Sequence, residues 1–159
     1  MNQKPYVVAI TGASGSIYGL RFVRAMTELG HPITLTVSES ARTVMREELG
    51  IKLASLKDSN FLPQLFDPTT CELISYYPHD DLTAPIASGS YPTRGMVVIP
   101  ASTSTFSRIA NGISQSLIER AAECTIKEGR RLVIVPRRYQ MANAREHFLN
   151  FDPGNSVKI

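Results

Sequence analysis

The chain has 159 residues, 43% hydrophobic and 19% charged, which suits one globular domain with a real core, and its apolar runs are too short to span a bilayer. A net charge of +3 is carried by scattered lysines and arginines, favouring a small anionic ligand over nucleic acid. Cys71 and Cys124 lie far apart with no histidines at metal spacing, so no disulfide framework and no metal site is expected; the polar start lacks an export signal and points to the cytoplasm.

The first element is an apolar run, Val7 to Ile10, that stops at Thr11-Gly12-Ala13-Ser14-Gly15-Ser16, where a helical pattern begins. Strand, glycine loop and helix in succession read as the opening unit of a parallel α/β sheet. Gly12 and Gly15 let the backbone approach a ligand, Ser14 and Ser16 offer hydroxyls, and the first helical N–H groups point at the same place. A tight turn would use the same residue types. Glycines, hydroxyls and strand-then-helix context together favour a phosphate.

Ile17, Leu20, Val23 and Met26 keep helical spacing, and Gly30 offers a left-handed stop. Ile33, Leu35 and Val37 alternate with threonines as a second strand, after which Ser38 caps a helix running to Leu49 and Gly50. Ser38 also stands where a cofactor meets the carboxyl end of a strand in an open α/β sheet. Prolines at 63, 68, 78, 85 and 92 then forbid long helices, leaving Glu72 to Tyr76 as a short strand. By composition, Ala87-Ser88-Gly89-Ser90-Tyr91 is a surface turn.

Gly95 to Pro100 is a continuous apolar strand, followed at once by Ser102, Thr103, Ser104 and Thr105. A cap needs only one or two hydroxyls, so the excess favours a ligand at the switch point of the sheet. After a helix from Phe106 to Asn111, a further helix runs from Leu117 to Lys127 with Leu117, Ile118, Ala121, Ala122 and Ile126 as its apolar face, ending at Gly129. The strand Leu132 to Val135 leads to Arg137, which could grip a phosphate through two parallel hydrogen bonds. The alternation predicts a single-domain, three-layer α/β sandwich: a flavodoxin-like (Rossmann-like) parallel sheet with helices on both faces. A nicotinamide-binding oxidoreductase of the short-chain type would share the opening turn, but no tyrosine here has a lysine four residues on. Glu39 could still hold a ribose.

The blocks TGASGSIYGLRF, TVSESAR and SGSYPTRGMVVIPASTSTFSRIANGISQSLIERAAECTIKEGRRLVIVPR, in that order between Val7 and Arg137, resemble the flavin prenyltransferase family, the UbiX and phenylacrylic acid decarboxylase group. The resemblance implies an FMN-binding subunit in a homododecamer built of trimers. It implies metal-free transfer of a dimethylallyl group from dimethylallyl monophosphate to reduced FMN, the prenylated FMN then serving a UbiD-type decarboxylase, as in ubiquinone biosynthesis or aromatic acid decarboxylation. Carried over by position, Gly12, Ala13, Ser14, Ser38, Ser102, Thr103, Ser104, Thr105 and Arg137 hold FMN. Glu48 and Lys127, which composition alone would make solvated helix-end charges, gain roles beside Ser14 in proton handling and in stabilising the departing phosphate. Ser88, Gly89, Ser90 and Tyr91 line the prenyl site.

From Arg138 to Ile159 the chain departs from that pattern. Arg138 stands where the family has a glutamate, and a last strand and helix, with a tyrosine and arginine that bind the prenyl phosphate, have no counterpart. The tail reads as replaced sequence, which would expose a sheet edge and uncover apolar surface. A second expectation follows: an FMN-binding member impaired at its second substrate unless a neighbouring subunit completes the site.

Overall fold

Tyr6–Ile10 (β1) is the centre of the sheet in the computed structural model, which describes residues 3–136 together with Val157 and Lys158. Its side chains alternate between the two faces, as the pleat requires. Val7 and Ala9 enter one apolar cluster and Val8 and Ile10 the other, so β1 is buried on both sides. That is why its sequence is uniformly apolar.

The chain continues through Ser16–Glu28 (α1), Ile33–Val37 (β2), Glu39–Leu49 (α2), the short helices Leu62–Leu65 (α3) and Pro68–Glu72 (α4), and Ile74–Tyr76 (β3). Gly95–Ala101 (β4), Thr103–Ala110 (α5), Leu117–Lys127 (α6), Arg131–Pro136 (β5) and the two-residue Val157–Lys158 (β6) complete it. Every strand pair is parallel and the order is β3-β2-β1-β4-β5-β6. This is the expected flavodoxin order with one short strand, β3, added outside β2, which makes it the order of dinucleotide-binding sheets. Helices α1 and α2 pack on one face, through Leu20, Val23, Ala41 and Met45, and α5 and α6 on the other, through Phe106, Ile109, Leu117 and Ile118.

The predicted boundaries hold with local corrections. Ser38 Oγ accepts the Ala41 N–H and caps α2, while Gly50 takes the left-handed conformation at its end. Glu72, expected in the third strand, closes α4 instead, because Asp67 caps that helix and Pro68 opens it. Pro63 and Pro85 likewise sit in the first turns of short helical segments. The threonine face of β2 is as buried as its apolar face: Thr34 and Thr36 are fully enclosed. The missing last strand is corrected in part, since Val157 and Lys158 pair with Leu132 and Val133 of β5. Two residues are too few for periodicity to announce them. Arg137 and residues 138–156 lie outside the described residues, as does the expectation of an uncovered apolar surface there.

Candidate active site

The chain turns to opposite sides of β1 on its way to β2 and to β4, so the switch point lies between the carboxyl ends of β1 and β4. One buried side chain locks that crevice. Thr11, at the end of β1, donates from Oγ1 to the Pro100 carbonyl at 2.7 Å and accepts the Ser102 N–H at 2.7 Å, tying together the loops that follow β1 and β4. Gly12 must be glycine, because a Cβ there would collide with Ser40 at the start of α2. Gly15, with φ +97°, turns the chain into α1.

Around this crevice the predicted hydroxyls converge. Ser38 and Ser40 share a hydrogen bond of 3.0 Å. Ser102 caps α5 by accepting the Thr105 N–H, and its Oγ lies 3.2 Å from Ser104 Oγ and 2.9 Å from Thr105 Oγ1. The cap accounts for Ser102 alone; Thr103 and Ser104 remain exposed beside it. Ser14 is half-buried in the loop, and Ser16 Oγ is fully buried without a hydrogen-bond partner. A buried donor without a partner is costly. Small residues, an unsatisfied hydroxyl and the start of α5 together fit an anionic, polar-edged ligand such as a flavin phosphate, whereas the first N–H groups of α1, expected to face that anion, are taken by the Glu48 carboxylate.

Glu48 completes the carboxyl-end group. Its carboxylate reaches from the last turn of α2 to the start of α1, where it accepts the Gly15 N–H at 3.1 and 3.0 Å and the Ser16 N–H at 3.2 Å. An anion at a helix N-terminus is stabilised by the unpaired N–H groups and the helix dipole. Glu48, though exposed, is therefore anchored on the start of α1 beside the crevice.

The remaining predicted residues lie elsewhere. Lys127 ends α6 just before β5 begins, and Ser88, Gly89, Ser90 and Tyr91 precede β4, so both belong to the amino edge of the sheet. The six residues of β5 separate the two edges by about 20 Å, at roughly 3.3 Å per residue. One chain does not bring Lys127 or the 88–91 loop to its own crevice. Instead they form a second group with residues the sequence reading missed. Arg120, Glu123 and Lys127 follow one another along α6 at helical spacing, and Arg120 pairs with Glu123 at 3.0 Å. The hydrogen bond from Ser114 Oγ, followed by Arg120, holds the Glu123 carboxyl below its ordinary range. Tyr91 packs partly against the core beside Tyr77, whose hydroxyl is pushed up by burial first and by Tyr91 next.

Among the described residues no cluster of three or more His, Cys, Asp or Glu could hold a metal, and no helix is long and apolar enough to cross a membrane. Cys71 and Cys124 are both free thiols, pushed up by burial.

A family model for flavoproteins matches residues 1–151. The chain belongs to the flavoprotein family. Within that family this flavoprotein is 48% identical over 132 residues to the flavin prenyltransferase UbiX of Halalkalibacterium halodurans, covering 83% of the chain and 63% of that relative. It is 39% identical over 132 residues to the same enzyme of Archaeoglobus fulgidus, covering 83% and 65%. It thus spans less than two thirds of the length of these curated relatives. Among solved structures it resembles AnUbiX in complex with FMN and dimethylallyl pyrophosphate, with a TM-score of 0.73 and 29% identity over 94% of this chain and 71% of that one. It also resembles a dodecameric FMN-dependent UbiX-like decarboxylase from Escherichia coli O157:H7, with a TM-score of 0.74 and 30% identity over 91% and 72%.

Proposed function

We propose that this flavoprotein is a cytoplasmic flavin prenyltransferase that moves a dimethylallyl group from dimethylallyl monophosphate to reduced FMN, its product passing to a UbiD-type decarboxylase. What carries the reading is the carboxyl-edge crevice, with its hydroxyls and Glu48 fixed on the start of α1, inside the segment that is 48% identical to a flavin prenyltransferase. Gly12, Ala13, Ser14, Ser38, Ser102, Thr103, Ser104 and Thr105 are the residues that would hold FMN, with Arg137 assigned by sequence position. When bound, reduced FMN supplies the electron-rich ring edge that accepts the prenyl group.

The protein's own groups have distinct tasks. Glu48, anchored by two N–H groups, holds or moves protons at its carboxylate, with Ser14 assigned by sequence position as its partner in that task. Lys127 neutralises the phosphate anion as it departs. The loop Ser88–Tyr91 lines the prenyl site, where the Tyr91 ring stabilises the prenyl cation by cation–π attraction. Because Lys127 and this loop lie about 20 Å from the crevice of their own chain, the reading pairs the crevice of one copy with the α6 edge of another, in a homo-oligomer built from trimers. Such a head-to-tail contact closes into a ring when three copies complete one full rotation.

The test is an FMN titration of the purified protein followed by reaction of the reduced complex with dimethylallyl monophosphate. Saturable FMN binding, lost in Ser14→Asp, and a new flavin spectrum after donor addition are expected. FMN binding without product would leave the impaired family member as the description, and nicotinamide binding without FMN binding would select an oxidoreductase.

A further inference from the structure

Outside the hydroxyl crevice, one side chain gathers most of a single loop. Arg130, half-buried just past α6, donates from one guanidinium nitrogen to the Tyr91 carbonyl at 2.8 Å and to Thr93 Oγ1 at 3.3 Å, and from another to the Gly89 carbonyl at 2.8 Å. Two bonds from α6 hold the start of the same loop: Arg120 Nε donates to the Ala87 carbonyl at 3.1 Å and Cys124 Sγ to the same oxygen at 3.3 Å. Within the loop, Ser88 and Ser90 share a hydrogen bond of 2.9 Å, and the Tyr91 N–H bonds to the Ser88 carbonyl at 3.2 Å.

The turn that delivers Arg130 is built by Gly129, whose φ of +65° ends α6 immediately after Lys127 and Glu128. Glu128 lies over Gly89, where a Cβ would collide with its carboxylate. Lys127 and the loop are therefore fixed by one short stretch of chain. A guanidinium suits this task because its donors sit in a rigid plane, so three acceptors spread over residues 89–93 are held at once; an ammonium is a single flexible point.

We propose that Arg130 is a positioning residue that locks the Ser88–Tyr91 loop in register with Lys127 and thereby sets the affinity for the prenyl phosphate donor. The kinetic part rests on the flavin prenyltransferase reading; the clamp itself does not.

The experiment compares wild type, Arg130→Lys and Arg130→Met by amide hydrogen exchange across residues 88–93, by FMN titration, and by donor KM and kcat. Exchange at the Tyr91 amide is expected to quicken about tenfold in both variants, the scale of one lost charge-assisted hydrogen bond. Donor KM rises by a similar factor, while FMN affinity and exchange in α1 stay at wild-type values. Because Arg130→Lys keeps the charge, it carries the test if Arg130→Met does not fold. Unchanged exchange in the loop overturns the clamp, and faster exchange with an unchanged donor KM overturns the positioning role. If wild type forms no prenylated flavin, the functional reading fails, and loop exchange alone then decides whether Arg130 is a clamp.

Discussion

Replacing Glu48 by glutamine separates what its carboxylate does for the fold from what it does for chemistry. In the structure the carboxylate accepts the Gly15 N–H with both oxygens, at 3.1 and 3.0 Å, and the Ser16 N–H with one, at 3.2 Å. Glutamine keeps an amide oxygen that can accept one of these bonds but gives up the charge facing the helix. Such a charge is worth about 0.3–1 kcal/mol at an exposed helix terminus, and Glu48 is exposed, so about 0.5 kcal/mol is the expected loss. In a chain of this size 1 kcal/mol moves Tm by roughly 2–4 °C, so the variant should melt only about 1–2 °C lower. Removing a group that handles protons costs roughly 100-fold to 10,000-fold in rate, or about 3–5 kcal/mol of barrier. The catalytic loss should therefore exceed the stability loss several-fold. Calorimetry, FMN titration and single-turnover prenyl transfer with reduced FMN measure the three terms. FMN affinity should not weaken, because the hydroxyls of the crevice remain. A variant that retains more than about a tenth of the wild-type rate would refute a proton-handling role, since it falls short of the smallest acid–base effect.

Gly19→Ala should destabilise the fold by about 1–3 kcal/mol, because its Cβ would lie 2.5 Å from the Ile99 carbonyl and 3.2 Å from the Ile10 side chain, neither of which can swing away; thermal denaturation checks this. Glu119→Ala should cost about 2 kcal/mol, read by urea unfolding, because the 2% exposed carboxylate both accepts from Arg108 Nε at 2.9 Å and closes the capping box on Ser116. That figure falls below the roughly 3–5 kcal/mol of a fully buried pair because Arg108 is exposed enough to hydrate once its partner is gone. The Glu123 carboxyl lies below its ordinary value, so its stabilising contribution is complete above the unfolded carboxylate range and is lost as pH falls through the lowered folded value. Ser114→Ala removes the largest cause and should move the Glu123 titration, followed by NMR, back upward.

Much of the fold was legible because its signals are local. Helix α6 runs from Leu117 to Lys127 as its apolar spacing predicts, and Gly30, Gly50 and Gly129 stand at left-handed stops where a periodic pattern ends. Strands β1 and β4 announce themselves as apolar runs because both their faces are buried. What the sequence could not convey is distance across the sheet. Glu48 and Gly15 lie 33 positions apart yet bond directly, whereas Lys127, just before β5, sits at the opposite edge of the sheet from the crevice. Thr11 gave no more than a strand-end signal, although it ties the loops after β1 and β4 together. Arg130 sat in a run of charged residues with nothing local to mark it. Its three acceptors are about 40 residues earlier, brought near only by the parallel order of β4 and β5.

The central claim is that a working site joins the crevice of one copy to the α6 edge of another, and subunit complementation tests it directly. Ser14→Asp disables the crevice and Lys127→Ala the other half, so each variant alone should be inactive in prenyl transfer. Co-assembled in equal amounts, about a quarter of head-to-tail contacts would pair an intact crevice with an intact α6 edge, and activity should return to about a quarter of wild type. Co-assembled oligomers that stay as inactive as either parent would contradict the account, because both halves would then have to come from the same chain.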